Sequence, residues 1–173
     1  MASVQAYYAD EKGGGYFLSA DDANDLIIRS KTIADNAVPS GSSVMAECLA
    51  RLYLLTGNEE YRERANKLIC IFSSSQARNL ISQSGLMMGF EILEQALSIV
   101  IIGDDKELVG AAIEVAPPWR VILRIPPGAT LARNYPAYGK TNVNKPAAFV
   151  CMAGTCSLPI DSAKSLREHL AKL

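Results

Sequence analysis

Nothing in this 173-residue chain approaches the run of about 18 apolar residues that a membrane helix needs. The longest candidate, Ala96 to Ile102, reads as a buried strand. There is one histidine, His169, so chemistry that needs two imidazoles cannot come from this chain alone. Four cysteines are too few to form a disulfide scaffold at this length. A net charge of −1 and a pI near 5.9 leave no large basic surface for nucleic acid. The start, Met1 to Asp10, has neither the basic stretch nor the apolar core of a signal peptide, and the cytoplasm is the expected compartment. A Walker lysine motif and a glycine-rich dinucleotide turn are both missing; only Gly103-Asp104-Asp105, after a strand, invites a nucleotide.

What remains is an ordinary globular composition, 49% apolar and 20% charged. That suffices for one well-buried domain or two small packed halves. Residues 1 to 10 read as the end of a helix, broken by Lys12 to Gly15 and followed by an extended Tyr16-Phe17-Leu18. Ser19 can cap a helical turn through Asp21, Asp22 and Asp25, and Asp25 to Ser30 is ambiguous between helix end and strand.

The periodicity predicts a helix from Ser42 or Ser43 to Thr56, with Val44, Met45, Cys48, Leu49, Leu52 and Leu55 as its apolar stripe. Gly57 supplies its left-handed end and Asn58 caps a second helix to about Phe72. That helix turns Tyr61, Ala65, Leu68, Ile69 and Phe72 to one face and its charges to the other, so the pair is an αα-hairpin with the first helix inside. A third helix, from about Gly85 to Leu97, presents Leu86, Met87, Phe90, Leu93 and Leu97 inward. Cys48 and Cys70, inside helical patterns, read as small core fillers.

After Leu97 the pattern changes. Ser98 to Gly103 is a strand buried on both faces, Asp104-Asp105 opens a helix to Val115, and Pro117-Pro118 stops it before a second strand, Trp119 to Ile125. Strand, helix and strand with short connections imply a parallel βαβ unit. Pro126 to Pro146 is a long loop with Tyr135, Tyr138 and Lys140, Ala147 to Cys151 a third strand, and Ser162 or Asp161 caps a final helix to Leu173. The expected division is 1–97, helical hairpins, and 98–173, a small α/β appendage.

Chemistry concentrates in Lys31 to Ser43, a loop of turn formers, hydroxyls and one carboxylate that opens into a helix. Asp35 and Ser40 there can meet a polar ligand at free backbone N–H groups. Equally, Ser40 or Ser42 can serve as a helix cap that Pro39 stiffens, and Arg29 and Lys31 can pair with Asp35. Tyr16-Phe17, after three glycines, can lay an aromatic face beside a sugar-like ligand or act as hinge packing. Cys151-Met-Ala-Gly-Thr-Cys156 has four residues between its thiols, unlike a thioredoxin-type pair. It is open to a reversible disulfide, with Gly154 letting the loop fold back, or to a structural turn. Zinc needs four ligands, and only His169 and the two helix cysteines could complete the set, so no metal is expected.

These residues together resemble the C-terminal portion of the YyaL / spermatogenesis-associated protein 20 family. The likeness runs through Gly14 to Phe17, Asp21-Asp22, Leu26 to Lys31, Asp35 to Ser43 and the Leu-Thr-Gly at Leu55 to Gly57. It continues with Ile99 to Asp104, Ala148 to Cys156, and Pro159. The resemblance implies a fold that is mainly α with a small α/β part: closing hairpins of an (α/α)6 toroid followed by a βαβ-type appendage. Such toroids are similar to N-acylglucosamine 2-epimerases and six-hairpin glycosidases, and family members carry a thioredoxin-like domain that this chain lacks. The family pattern has Asn where Ser42 stands, and epimerase-type histidines have no counterpart here.

The implied role is a wall of a carbohydrate-like pocket, through Tyr16, Arg29, Lys31, Asp35 and Ser40, without independent catalysis and with no cofactor. The rivals are a sugar isomerase or hydrolase formed with the missing part, using Asp35 as acid or base, and a redox-responsive interaction module working through Cys151 and Cys156. Expected partners are a sugar-like small molecule and either a second copy or the missing N-terminal part, but neither nucleic acid nor membrane.

Overall fold

The computed structural model describes residues 2–32, 34–76, 80–115, 117, 119–152 and 155–173, without the side chains of 72–76 and 80. Among these lie six α-helices, a short 3-10 turn (Leu80–Gln83) and four strands. Their order is α1 (Ala2–Tyr8), α2 (Gly41–Thr56), α3 (Glu59–Gln76), α4 (Ser84–Gln95), β1 (Leu97–Ile102), α5 (Lys106–Val115), β2 (Arg120–Ile125), β3 (Ala147–Met152), β4 (Thr155–Cys156) and α6 (Ala163–Leu170). The chain divides into two compact units, Met1–Ala50 with Glu59–Leu93, and Arg51–Asn58 with Glu94–Leu173. No helix among the described residues is long and apolar enough to cross a membrane.

The second unit is built on a mixed sheet of order β2-β1-β3-β4. β1 runs parallel to β2 in the register Leu97↔Arg120 to Ile102↔Ile125, and antiparallel to β3 from Ser98↔Cys151 to Ile102↔Ala147. The parallel pair joined through α5 is the βαβ unit that the apolar run predicts. Every β1 residue is buried because its alternate side chains feed two cores. Leu97, Ile99 and Ile101 meet α5 and α6 through Leu108, Ala111, Ala112, Leu166 and Leu170. Val100 and Ile102 point the other way, with Val121, Leu123 and Ile125 of β2. A fully buried side chain of this kind stabilises by about 2 kcal/mol.

The long loop after β2 closes that second face with Leu131, Tyr135, Ala137 and Val143, while Tyr138 stays exposed. Asp105 caps α5, its Oδ1 accepting from the N–H groups of Glu107 and Leu108 at 2.9 and 3.0 Å, and Ser162 caps α6. The two-residue β4 is an addition to the sequence expectation. Gly57 ends α2 at φ +68°, and a Cβ there would fall 1.7 Å from the Asn134 carbonyl oxygen.

The first unit corrects several expectations. The buried face of α2 is Ser42, Ser43, Ala46, Leu49 and Ala50; Val44, Cys48 and Leu55 are exposed. The reason is close approach: a Cβ on Gly89 of α4 would lie 2.9 Å from the Ala46 Cβ, so the small-residue faces meet and larger side chains are displaced. On α4 the inward set is Leu86, Gly89, Ile92 and Leu93, and Met87 and Phe90 are exposed, contrary to expectation. In α3, Ala65 and Leu68 are buried as predicted, whereas Cys70 is exposed and fills no core. The Phe72 side chain and Pro118 lie outside the described residues. Residues 19–25 form turns and no helix; their acids do not outweigh the cost of nucleating one.

Candidate functional site

Asp35 is the hub of the loop that enters α2. Its Oδ1 accepts from the Ser40 N–H at 2.8 Å and the Ser43 hydroxyl at 2.8 Å; its Oδ2 accepts from the Gly85 N–H at 2.7 Å and the Ser84 hydroxyl at 3.5 Å. One carboxylate therefore satisfies donors at the N-termini of both α2 and α4, where the helix dipole also favours negative charge. Ser40 takes the capping position itself, its hydroxyl oxygen accepting from the Ser43 N–H at 3.1 Å. Ser42 donates to the Thr32 carbonyl at 2.8 Å, and the Asp35 N–H to that of Ser82 at 2.7 Å. Burial works against ionising Asp35, but the Ser40 and Gly85 N–H groups and the Ser43 and Ser40 hydroxyls outweigh it and hold the carboxyl below its ordinary value.

Arg29 and Lys31 do not pair with Asp35. Both flank the Phe17 ring, with the Arg29 guanidinium carbon 4.2 Å and the Lys31 ammonium 5.2 Å from its centroid. Arg29 also donates to the carbonyls of Tyr7 and Ser19, at 2.8 and 2.9 Å. Lys31 reaches the Asp10 carboxylate at 2.6 Å and the Gly14 carbonyl at 3.0 Å. The Gly13 N–H and then Lys31 lower the Asp10 carboxyl to about 2. The two cations thus close the turn between α1 and the extended Tyr16-Phe17, where Gly14 and Gly15 take positive φ.

Tyr16 is buried, pairs with Ala9 through an isolated bridge, and donates from its hydroxyl to the Gln5 side chain at 3.3 Å. Burial raises its phenol above the ordinary value, against the opposing pull of Arg64. It lines two pockets. One, of about 100 Å³, is walled by Gln5, Asp10, Glu11, Arg64 and Lys67 besides Tyr16. The other, of about 300 Å³, is apolar and aromatic, with Val4, Tyr8, Phe17, Leu18 and Met45.

The predicted binding residues thus fall into two clusters, Tyr16, Arg29 and Lys31 about Phe17, and Asp35 with Ser40 at the helix starts. Sequence reasoning missed Asp10, Gln5, Arg64 and Lys67. Arg64 and Lys67 look like solvated charges on α3, and only the turn at Gly13–Gly15 hinted that a chain segment returns beside them.

Cys151 and Cys156 are directly opposite in the β3–β4 pair, 4.0 Å apart at Cα, and joined as a disulfide. Among the described residues, no group of three or more His, Cys, Asp or Glu side chains is placed to hold a metal ion.

No family model matches the chain. It is similar to spermatogenesis-associated protein 20 of Homo sapiens, 31% identical over 172 residues that cover 93% of this chain and 22% of the human protein. The rat protein of the same name is 30% identical over 172 residues, again covering 93% of this chain and 22% of the relative. An uncharacterized protein of Caenorhabditis elegans is 25% identical over 169 residues, 92% of this chain and 23% of that one. The chain is accordingly a distant homologue of spermatogenesis-associated protein 20, and it spans less than a quarter of the length of the curated relatives it matches.

Proposed function

We propose that this chain is the C-terminal part of a thioredoxin-domain-containing, epimerase-like toroid protein, and that it contributes a wall of a sugar-binding pocket without catalysing a reaction itself. The observation that carries the reading is the position of Tyr16 between an aromatic pocket and a charged one. A pyranose has the same two characters, an apolar C–H face that stacks on aromatic rings and a rim of hydroxyls that bond to charged groups. Tyr16 is the contact residue; Arg29, Lys31, Asp35 and Ser40 hold the loops that frame it. The rival role for Asp35 as general acid or base is opposed by its bonding. Both carboxylate oxygens accept donors from the protein, and a lowered carboxyl is a weaker base.

The exposed Val44, Met87, Met88 and Phe90 support a further part of the proposal, that α2 and α4 pack against another copy or against the remainder of a longer protein. Thermal shift with methyl glucoside and N-acetylglucosamine tests the pocket. A stabilisation expected for the wild type should vanish in Tyr16→Ala and persist in Val38→Ala, a change of an exposed residue. A shift that survives Tyr16→Ala, or no shift with either sugar, would overturn the pocket. Light scattering tests the packing, and a monomer at all concentrations would remove self-association.

A further inference from the structure

We infer that Cys151–Cys156 is a thiol–disulfide exchange site, with a dithiol as reductant and an accessible disulfide as oxidant, and is not a staple of the fold. Three observations support this. First, the pair sits at the rim of the sheet: β4 is its last strand, and β4 holds only Thr155 and Cys156. Both cysteines are partly exposed, and beside them Met152, Thr155 and Leu158 are exposed, so a second thiol can approach. Secondly, the link is redundant for holding the strip in place. The Ser157 N–H donates to the Val150 carbonyl at 2.8 Å, and the Val150 N–H donates back to the Ser157 hydroxyl at 3.0 Å. Two further backbone bonds of 2.8 Å join Ala148 and Ile160. Thirdly, the core on the α5–α6 side uses Ala148 and Val150, whereas the cysteines share a face with Phe149, so opening the bond exposes none of that helix-packed core.

The exchange balances as two displacements. A thiolate of the dithiol attacks the Cys156 Sγ; a new S–S bond forms, the Cys151–Cys156 bond breaks, and its electron pair leaves on Cys151 Sγ, which takes a proton. The second thiol, losing its proton, then attacks the dithiol's sulfur in the mixed disulfide and releases Cys156 as a thiolate. The dithiol is oxidised to its disulfide by two electrons, and the cysteine pair is reduced by two. With an oxidised disulfide such as that of glutathione the sequence runs in reverse.

Dithiothreitol and oxidised glutathione on the full folded chain test this, with thiols counted by alkylation and mass spectrometry. Millimolar dithiothreitol is expected to free both thiols while circular dichroism and the α5–α6 hydrogen-exchange protection stay unchanged; glutathione disulfide should restore the bond. Cys151→Ser should retain glutathione on Cys156 as a stable mixed disulfide, because the paired thiol that would displace it is gone. Thiols that appear only once denaturant has unfolded the chain would overturn the inference. So would loss of α5–α6 protection on reduction, which would make the bond a structural staple. The wild-type measurement stands even if the serine variant does not fold.

Discussion

The two units fix their helices in opposite ways. Around β1, hydrocarbon does the work: six consecutive residues are buried, and two apolar cores lie on the two faces of the strand. Where α2 and α4 begin, a carboxylate does it, with glycine and small side chains allowing the close approach and larger apolar groups left outside. The lesson is that apolar residues at helical spacing mark a face but do not say that the face is buried. A junction made by hydrogen bonds can bury serines and expose methionines.

The comparison breaks first at Ile101. Ile101→Ala removes a fully buried side chain from the centre of the α5–α6 core and should cost about 4 kcal/mol, read by urea denaturation. Its loss should not depend on pH. A smaller loss, about 3 kcal/mol, is expected for Asp35→Ala, which leaves the Ser40 and Gly85 N–H groups without their acceptor. This loss should depend on pH. A carboxyl whose folded value is lowered stabilises fully above its unfolded value of about 3.9, and that contribution disappears as pH falls through the folded value. The gap between wild type and Asp35→Asn should therefore close on acidification below about pH 4. A gap that stays constant across that range would mean that shape, and not charge, holds the junction.

Much of the second unit was legible because its signals are local and redundant. β1 is a β-branched run, Gly103 ends it, and Asp105 and Ser162 stand where helix caps belong. The strand register and the antiparallel entry of β3 were not, since nothing local in Ala147 to Cys151 specifies its direction. In the first unit the helix cap at Ser40 was readable, and so was the alternative that Asp35 serves structure. What could not be read was its second set of donors, Ser84 and Gly85, because they lie 49 and 50 residues away in sequence. The shifted face of α2 had the same origin: Ala46 is buried because Gly89 admits it, and that pairing leaves no periodic trace.

The smallest effects sharpen the comparison most, because one chemical change should have opposite signs in the two helices. Gly110 lies exposed within α5, and a Cβ built there meets nothing within 4 Å. Gly110→Ala only removes backbone freedom from the unfolded chain and should stabilise by about 1 kcal/mol. Gly85 lies in the first turn of α4, and its Cβ would come within 2.7 Å of the Ser43 Cβ and 3.2 Å of an Asp35 carboxylate oxygen. Gly85→Ala gains the same backbone term but must displace the side chains that bond the two helices, so it should destabilise by about 1 kcal/mol. Thermal denaturation of both variants checks the pair, and in an Asp35→Ala background the Gly85→Ala penalty should shrink, because the oxygen it crowds is gone. An undiminished penalty in that double variant would assign the tight fit to Ser43 alone, and the carboxylate would then hold the junction by bonding without constraining its packing.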